Sequence, residues 1–226
     1  MGTFVGVVLL LLGLLGFLGS ALALPAGPAL NAIREGRAVA DNQVARAVAA
    51  LERSLRWGVA PAASLSDLAL LKLVQARPGD ALAPEGVQLL MESLAVQEAS
   101  LARAPANTDG WARLTYARYA LSGLDEASRD ALAMSFLTGR LERAPMVFRV
   151  QLILREWEAL DPEMQALGSV QIRQLCRYGH HALDALVEVY LASGQAGREV
   201  LLGALAGSPE DHARFERRLR RKTQNQ

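Results

Sequence analysis

From Phe4 to Leu24 the chain runs for 21 residues without a charge and is rich in Leu, Val and Gly. An α-helix needs roughly 20 apolar residues to cross the hydrocarbon core of a bilayer, so this segment is expected to be a membrane helix standing outside the globular fold. Residues 1–28 then form either an uncleaved anchor or a secretory signal peptide, for which Ala21-Leu22-Ala23 supplies the small-x-small pattern that precedes a cut. The absence of Lys or Arg ahead of the segment favours the anchor. Arg34 and Arg37 follow it and by the positive-inside rule prefer the cytoplasm, whereas an anchor with its N-terminus inside and a cleaved signal both export the rest of the chain. The expected placement is a single pass through a bacterial inner membrane with the remainder in the periplasm. Gly2 with Gly6, and Gly16 with Ser20, have the small-x-x-x-small spacing that lets membrane helices approach closely.

The rest of the chain, 29–226, is long enough for one domain with a real core. The whole chain is 51% hydrophobic and only 5% aromatic, which leaves Ala, Leu and Val to do the packing and favours helices over strands. The net charge of +1 gives no global field for nucleic acid, and no nucleic-acid partner is expected. A single cysteine, Cys176, excludes an intrachain disulfide.

Apolar residues recur at helical spacing throughout. Val44, Ala47, Val48, Leu51 and Leu55 form one stripe of a helix ending near Trp57, before Gly58 and Pro61. A shorter helix from Leu65 to Ala76 is expected to stop at Arg77-Pro78-Gly79-Asp80. A third opens at Pro84-Glu85 and should bury Val87, Leu90, Met91, Leu94 and Leu101. Pro25 and Pro28 are expected to interrupt the backbone where the apolar segment ends, because proline lacks the amide donor of a continuing helix.

Beyond Ala104 short stretches return. Leu101-Ala-Arg-Ala-Pro105 recurs as Leu141-Glu-Arg-Ala-Pro145 at an offset of 40, Leu124-Asp125 as Leu160-Asp161 at 36, and Ser122-Gly123 as Ser193-Gly194 at 71. Such offsets mark an array of helical hairpins. The hairpins are expected at Asp109–Leu121 with Glu126–Leu141, at Val147–Ala159 with a helix started by Asp161-Pro162-Glu163, and at His181–Ala192 with Gly197–Ala206. A basic terminal helix from Pro209 to Lys222 follows. Asp125 and Asp161 are placed to cap the helices they precede.

Trp111-Ala-Arg-Leu114, followed sixteen residues after the Trp by the small Ala127, resembles the tetratricopeptide-repeat superfamily. Thr115 replaces that pattern's Gly, Tyr119 is displaced by one place, and Ala131 stands where a bulky residue is usual. The resemblance implies an all-α fold in which the membrane helix is followed by a short right-handed stack of antiparallel hairpins, TPR-like, clearest over 104–206. Arg103-Ala-Pro105 leading through Asn107 to Trp111, behind one membrane segment, is similar to small anchored helical-repeat proteins of bacterial surface-polysaccharide biosynthesis. That implies a non-catalytic accessory scaffold in polymer assembly or export, binding protein partners in the same membrane without a cofactor. Arg113, Arg118, Arg149 and Arg155, from the first helices of adjacent hairpins, are the candidate partner-binding residues for acidic surfaces.

Two alternatives are carried alongside. Glu92-Ser93 is similar to the acid centre of helical peptidoglycan-cleaving transglycosylases, where one Glu protonates a glycosidic oxygen, although the Gly-Leu-Met-Gln segment of those enzymes is missing. The tail holds Arg214, Arg217, Arg218, Arg220, Arg221 and Lys222 against Glu216, a cluster that can dock on nucleic acid, anionic lipid or anionic polymer. Cys176 with His180, at i and i+4, has the spacing of two metal ligands, but zinc needs four, His181 and His212 are the remaining histidines, and Gly179 is expected to break the helix between them. A packed core thiol is therefore the expectation.

Overall fold

The computed structural model describes residues 2–57, 61–76 and 83–224, and every regular element among them is helical. The chain divides into two compact units, Met1–Gly123 and Leu124–Gln226. The division falls at Gly123, between the two helices expected to pair as the first hairpin.

The first unit holds α1 (Gly2–Ala23), α2 (Gly27–Arg34), α3 (Asp41–Trp57), α4 (Ala62–Gln75), α5 (Pro84–Leu101) and α6 (Thr108–Ser122). The α-helix breaks at Pro25 and Pro28 as expected, α1 ending at Ala23 and α2 beginning at Gly27, but the chain stays helical through the break. Each sits at the start of a new helical segment, Pro25 in the 3₁₀ turn Leu24–Ala26 and Pro28 in α2, where a missing N–H has no intrahelical partner to lose. The apolar helix is also not separate from the fold: α1 packs on α3, and Ser54 of α3 donates a buried 2.7 Å hydrogen bond to the Gly19 carbonyl. The reason lies in α3, whose stripe of Val44, Ala47, Val48 and Leu51 needs cover and finds it in Ala23 of α1, Ala26 of the following turn and Ala29 and Leu30 of α2. Among the described residues one helical stretch, Gly13–Arg34, is long and apolar enough to cross a membrane. Leu14, Phe17 and Leu24 are exposed along it.

From α3 onward the helices pack in order, α3 on α4, α4 on α5 and α5 on α6. Ser93 and Ser100 of α5 donate 2.8 Å bonds to the carbonyls of Ala69 and Ala62, so seven residues forward on α5 meet seven back on α4 and the pair is antiparallel. This polar seam shifts the buried face away from the expected one. Leu90 and Leu101 are buried, but Met91 is 55% exposed, and Ser93, Gln97 and Ser100 take the inner positions. Small hydroxyls that return their hydrogen bonds to the neighbouring backbone let two helices come closer than leucines would allow. The turn expected at 77–80 lies outside the described residues.

The second unit holds α7 (Glu126–Thr138), α8 (Arg143–Arg155), α9 (Pro162–Arg177), α10 (His180–Ala192), α11 (Gln195–Ala206) and α12 (Pro209–Gln224). Its core gathers Met146, Val150 and Leu154 of α8, Ile172, Leu175 and Cys176 of α9, Leu186 and Val187 of α10, Leu201 and Leu205 of α11, and Phe215 of α12. Each fully buried Leu or Ile contributes roughly 2 to 3 kcal/mol. Gly168 brings α9 hard against α8, since a Cβ there would stand 2.7 Å from Ile153 Cγ2.

The capping signals behave as local chemistry requires. Asp125 and Asp161 each accept a 2.8 Å bond from the backbone N–H three residues on, and Asn107 does the same for Gly110 at 3.1 Å. The matched pair Leu124-Asp125 and Leu160-Asp161 thus has one geometry. Leu101 and Leu141 do not share theirs, the first being buried at the end of α5 and the second 60% exposed before α8. The α8 helix begins at Arg143, four residues earlier than expected, and Trp157–Ala159 form a 3₁₀ turn.

Candidate functional site

Within the second unit, α7 and the start of α9 enclose an apolar groove of about 500 Å³. It is lined by Met134, Phe136 and Leu137 from α7 and Met164 and Leu167 from α9, together with the charged Arg140, Asp161 and Glu163. Leu137 is 79% exposed. Asp161 fixes the start of α9 by capping it, and so sets where Met164 enters the wall. Unbranched Met side chains adapt to the shape of an incoming apolar surface, and a groove of this kind accepts one face of an amphipathic helix. Nothing in the apolar periodicity marks it, because Leu137 reads as one more core residue.

The four arginines singled out in the sequence fall on α6 and α8, in different units. On α6, half-buried Arg113 donates to Ser66 Oγ at 2.7 Å and to the Ser66 carbonyl at 3.3 Å. Burial pulls its guanidinium below the ordinary value, against the opposing pull of Asp109 and Asp67. Arg118 pairs with Glu98 of α5 at 2.8 Å. Arg149 corrects the expectation outright: its residue is fully buried and its guanidinium donates to the carbonyls of Ser135, Gly139 and Glu142 at 2.7, 3.1 and 3.3 Å, 4.8 Å from the centre of the Phe136 ring. It caps the C-terminal end of α7, where orphan carbonyls attract a cation. Arg155 has a side chain 75% exposed, with Glu156 at 3.8 Å, and of the four it presents the most surface to a partner.

Glu92 is bound to the ammonium of Lys72 at 2.7 Å, and Glu52 of α3 reaches the same ammonium at 3.2 Å. Lys72 is 8% exposed. Burial alone would lower its pKa, but the hydrogen bonds it donates to Glu92 and Glu52 outweigh it and hold the group above its ordinary value. The same bond to Lys72, followed by one from Gln88, holds the Glu92 carboxyl below the ordinary carboxylate range. A general acid that protonates a glycosidic oxygen needs the opposite displacement. Lys72 is a clamp between α3 and α5, and its two acids are spent on it.

Cys176 is fully buried, with its sulfur 3.3 Å from the Asp211 carbonyl. Burial first, and then the Asp211 charge, push the thiol up to about 11. His180 and His181 are exposed at the start of α10, beyond Gly179, whose φ of +100° ends the preceding turn. Among the described residues no group of three or more His, Cys, Asp or Glu side chains is placed to hold a metal ion.

The basic helix α12 docks on its unit through Phe215, which is fully buried and meets Tyr190 edge to face at 5.3 Å. Its flanks are tied by ion pairs to α9 and α10. Arg177 grips Asp211 at 2.6 Å, Arg218 pairs with Asp184, and Lys222 pairs with Glu188. The bonds to Arg177 and Arg218 hold Asp211 and Asp184, respectively, below their ordinary values. Arg214, Arg217, Arg220 and Arg221 remain exposed. Comparison with family models, curated proteins and solved structures gives no match to this chain.

Proposed function

We propose that this chain is a non-catalytic, membrane-tethered helical scaffold that receives protein partners, built as a TPR-like stack of hairpins. In the same reading it is an accessory factor in bacterial surface-polysaccharide assembly or export, anchored by a single pass in the inner membrane with its globular part in the periplasm. The groove between α7 and α9 carries this reading, because an open trough walled by Met134, Leu137, Met164 and Leu167 is suited to hold the apolar face of a partner helix. The apolar surface left exposed on α1 supports the tether. The resemblance of Trp111-Ala-Arg-Leu114 and its flanks supports the pathway.

The test is site-specific photocrosslinking in the native membrane. A crosslinker at Leu137 is expected to capture one defined partner, and the capture is expected to disappear when Met164→Glu puts a charge in the groove wall. Capture unchanged by that substitution, or equal from a crosslinker at Arg155, removes the groove as the binding surface. A polysaccharide polymerase or transporter as partner supports the pathway, and unrelated machinery overturns it. A reporter fused after Gln226 reads the side of the membrane, a cytoplasmic signal being the adverse result.

A further inference from the structure

Four arginines of α12 gather on its outer face. With 3.6 residues per turn, Arg214, Arg217, Arg220 and Arg221 fall within an arc of about 120° and along about 10 Å of helix. That arc is turned away from Phe215, which lies in the core. The acids on the core-facing flank are already engaged, Asp211 by Arg177, Asp184 by Arg218 and Glu188 by Lys222. Bordering the outer arc on α12 itself is Glu216, 3.5 Å from Arg220 and 3.9 Å from His212. Exposed Glu210 stands one turn before Arg214 on the same face, so the helix presents four exposed guanidinium groups against two carboxylates, Glu210 at the N-terminal end and Glu216 at the border.

We propose that this outer face of α12 is a docking surface for the phosphates of an anionic lipid bilayer. A helix dipole accounts for Arg221 and Lys222 in the last turn, but its effect fades within one turn and leaves Arg214 and Arg217 unexplained. Guanidinium groups pair with phosphate through two parallel N–H donors, and a straight exposed row matches a flat array of headgroups. A single-stranded nucleic acid calls for aromatic platforms beside the cations, whereas the one aromatic of α12, Phe215, is buried. The lipid choice draws on the tether of the preceding section only for proximity: a chain already held at a bilayer meets the headgroups at high effective concentration, and one weak basic patch then suffices.

The full chain carrying Gln224→Cys, on the arginine face, is labelled there with a fluorophore. Native Cys176 is fully buried and does not compete. It is combined with nanodiscs containing headgroup-spin-labelled lipid, either in neutral phosphatidylcholine or with about a third phosphatidylglycerol. Quenching is expected to rise in the anionic discs and to fall again with added salt. Each Arg→Gln change at 214, 217, 220 and 221 is expected to weaken the anionic preference about five-fold. Glu216→Gln is expected to strengthen it, a gain that an unfolded variant would not produce. Equal quenching in both discs, or quenching that survives all four Arg→Gln changes, overturns the inference, as does release of the helix from anionic discs by a short single-stranded RNA that binds more tightly. Failure to co-elute with neutral discs overturns the tether instead, and leaves the anionic gain as the measure of α12.

Discussion

Two buried cations, one in each unit, are neutralised in opposite ways. Lys72 is matched by the charges of Glu52 and Glu92, both with side chains about two-fifths exposed, and so serves as an electrostatic pin between helices. Arg149 is matched by three backbone carbonyls and the face of Phe136, groups that neither titrate nor move far. The difference teaches that burial of a charge can be made good by water-facing acids or by the frayed end of a helix, and that only the first arrangement responds to pH and salt.

The comparison breaks most visibly at Arg149. Arg149→Met is expected to destabilise the second unit by about 3 to 5 kcal/mol, because it leaves helix-end carbonyls buried without donors. Urea unfolding followed at Trp157, with Trp57 and Trp111 reporting the first unit, measures it, and a loss below about 1 kcal/mol would mean that solvent replaces the guanidinium. Gly168→Ala, on the neighbouring seam, is expected to cost about 1 to 3 kcal/mol in the same signal through the clash with Ile153, without any dependence on pH.

Lys72→Met is expected to cost only about 1 kcal/mol at neutral pH, since Glu52 and Glu92 can rehydrate. Its sign with pH sharpens the contrast. Glu92 is lowered in the folded state, so its contribution is present above the unfolded value and is lost as pH falls through the folded one. Lys72 is raised, so its contribution is full below the unfolded value and is lost as pH rises through the folded one. The difference between wild type and Lys72→Met should therefore shrink toward both extremes, while that between wild type and Arg149→Met should stay level through the acid range. The smallest effect runs the other way. Both polar atoms of the Gln97 side chain lack hydrogen-bond partners among the described residues, at 1% exposure, so Gln97→Met is expected to stabilise the first unit by about 1 kcal/mol.

What could be read from the sequence was what neighbours in sequence decide. Asp125 and Asp161 cap their helices because a side-chain oxygen three residues from an orphan N–H is a local event. The all-helical class followed from the same short-range preferences. Arg149 was legible only as a cation at helical spacing, because its partners are carbonyls, and every residue has one. Lys72 finds its acids twenty residues away on either side, on two other helices. The α5 face was misplaced because hydropathy ranks Met91 above Ser93, while the approach of α4 selects for the smaller side chain that can return its hydrogen bond. The groove beside Leu137 was invisible for a similar reason: an uncovered leucine and a core leucine look alike until the neighbours are placed.

The bond from Ser54 to Gly19 has one further consequence. It draws the charged helix α3, with Arg53 and Arg56 toward solvent, alongside the lower turns of α1. Hydrocarbon surrounding α1 would have to end there, or strip those guanidinium groups of water. In the tethered arrangement proposed above, the contact would work as a depth stop, setting the height at which the first unit meets a lipid surface.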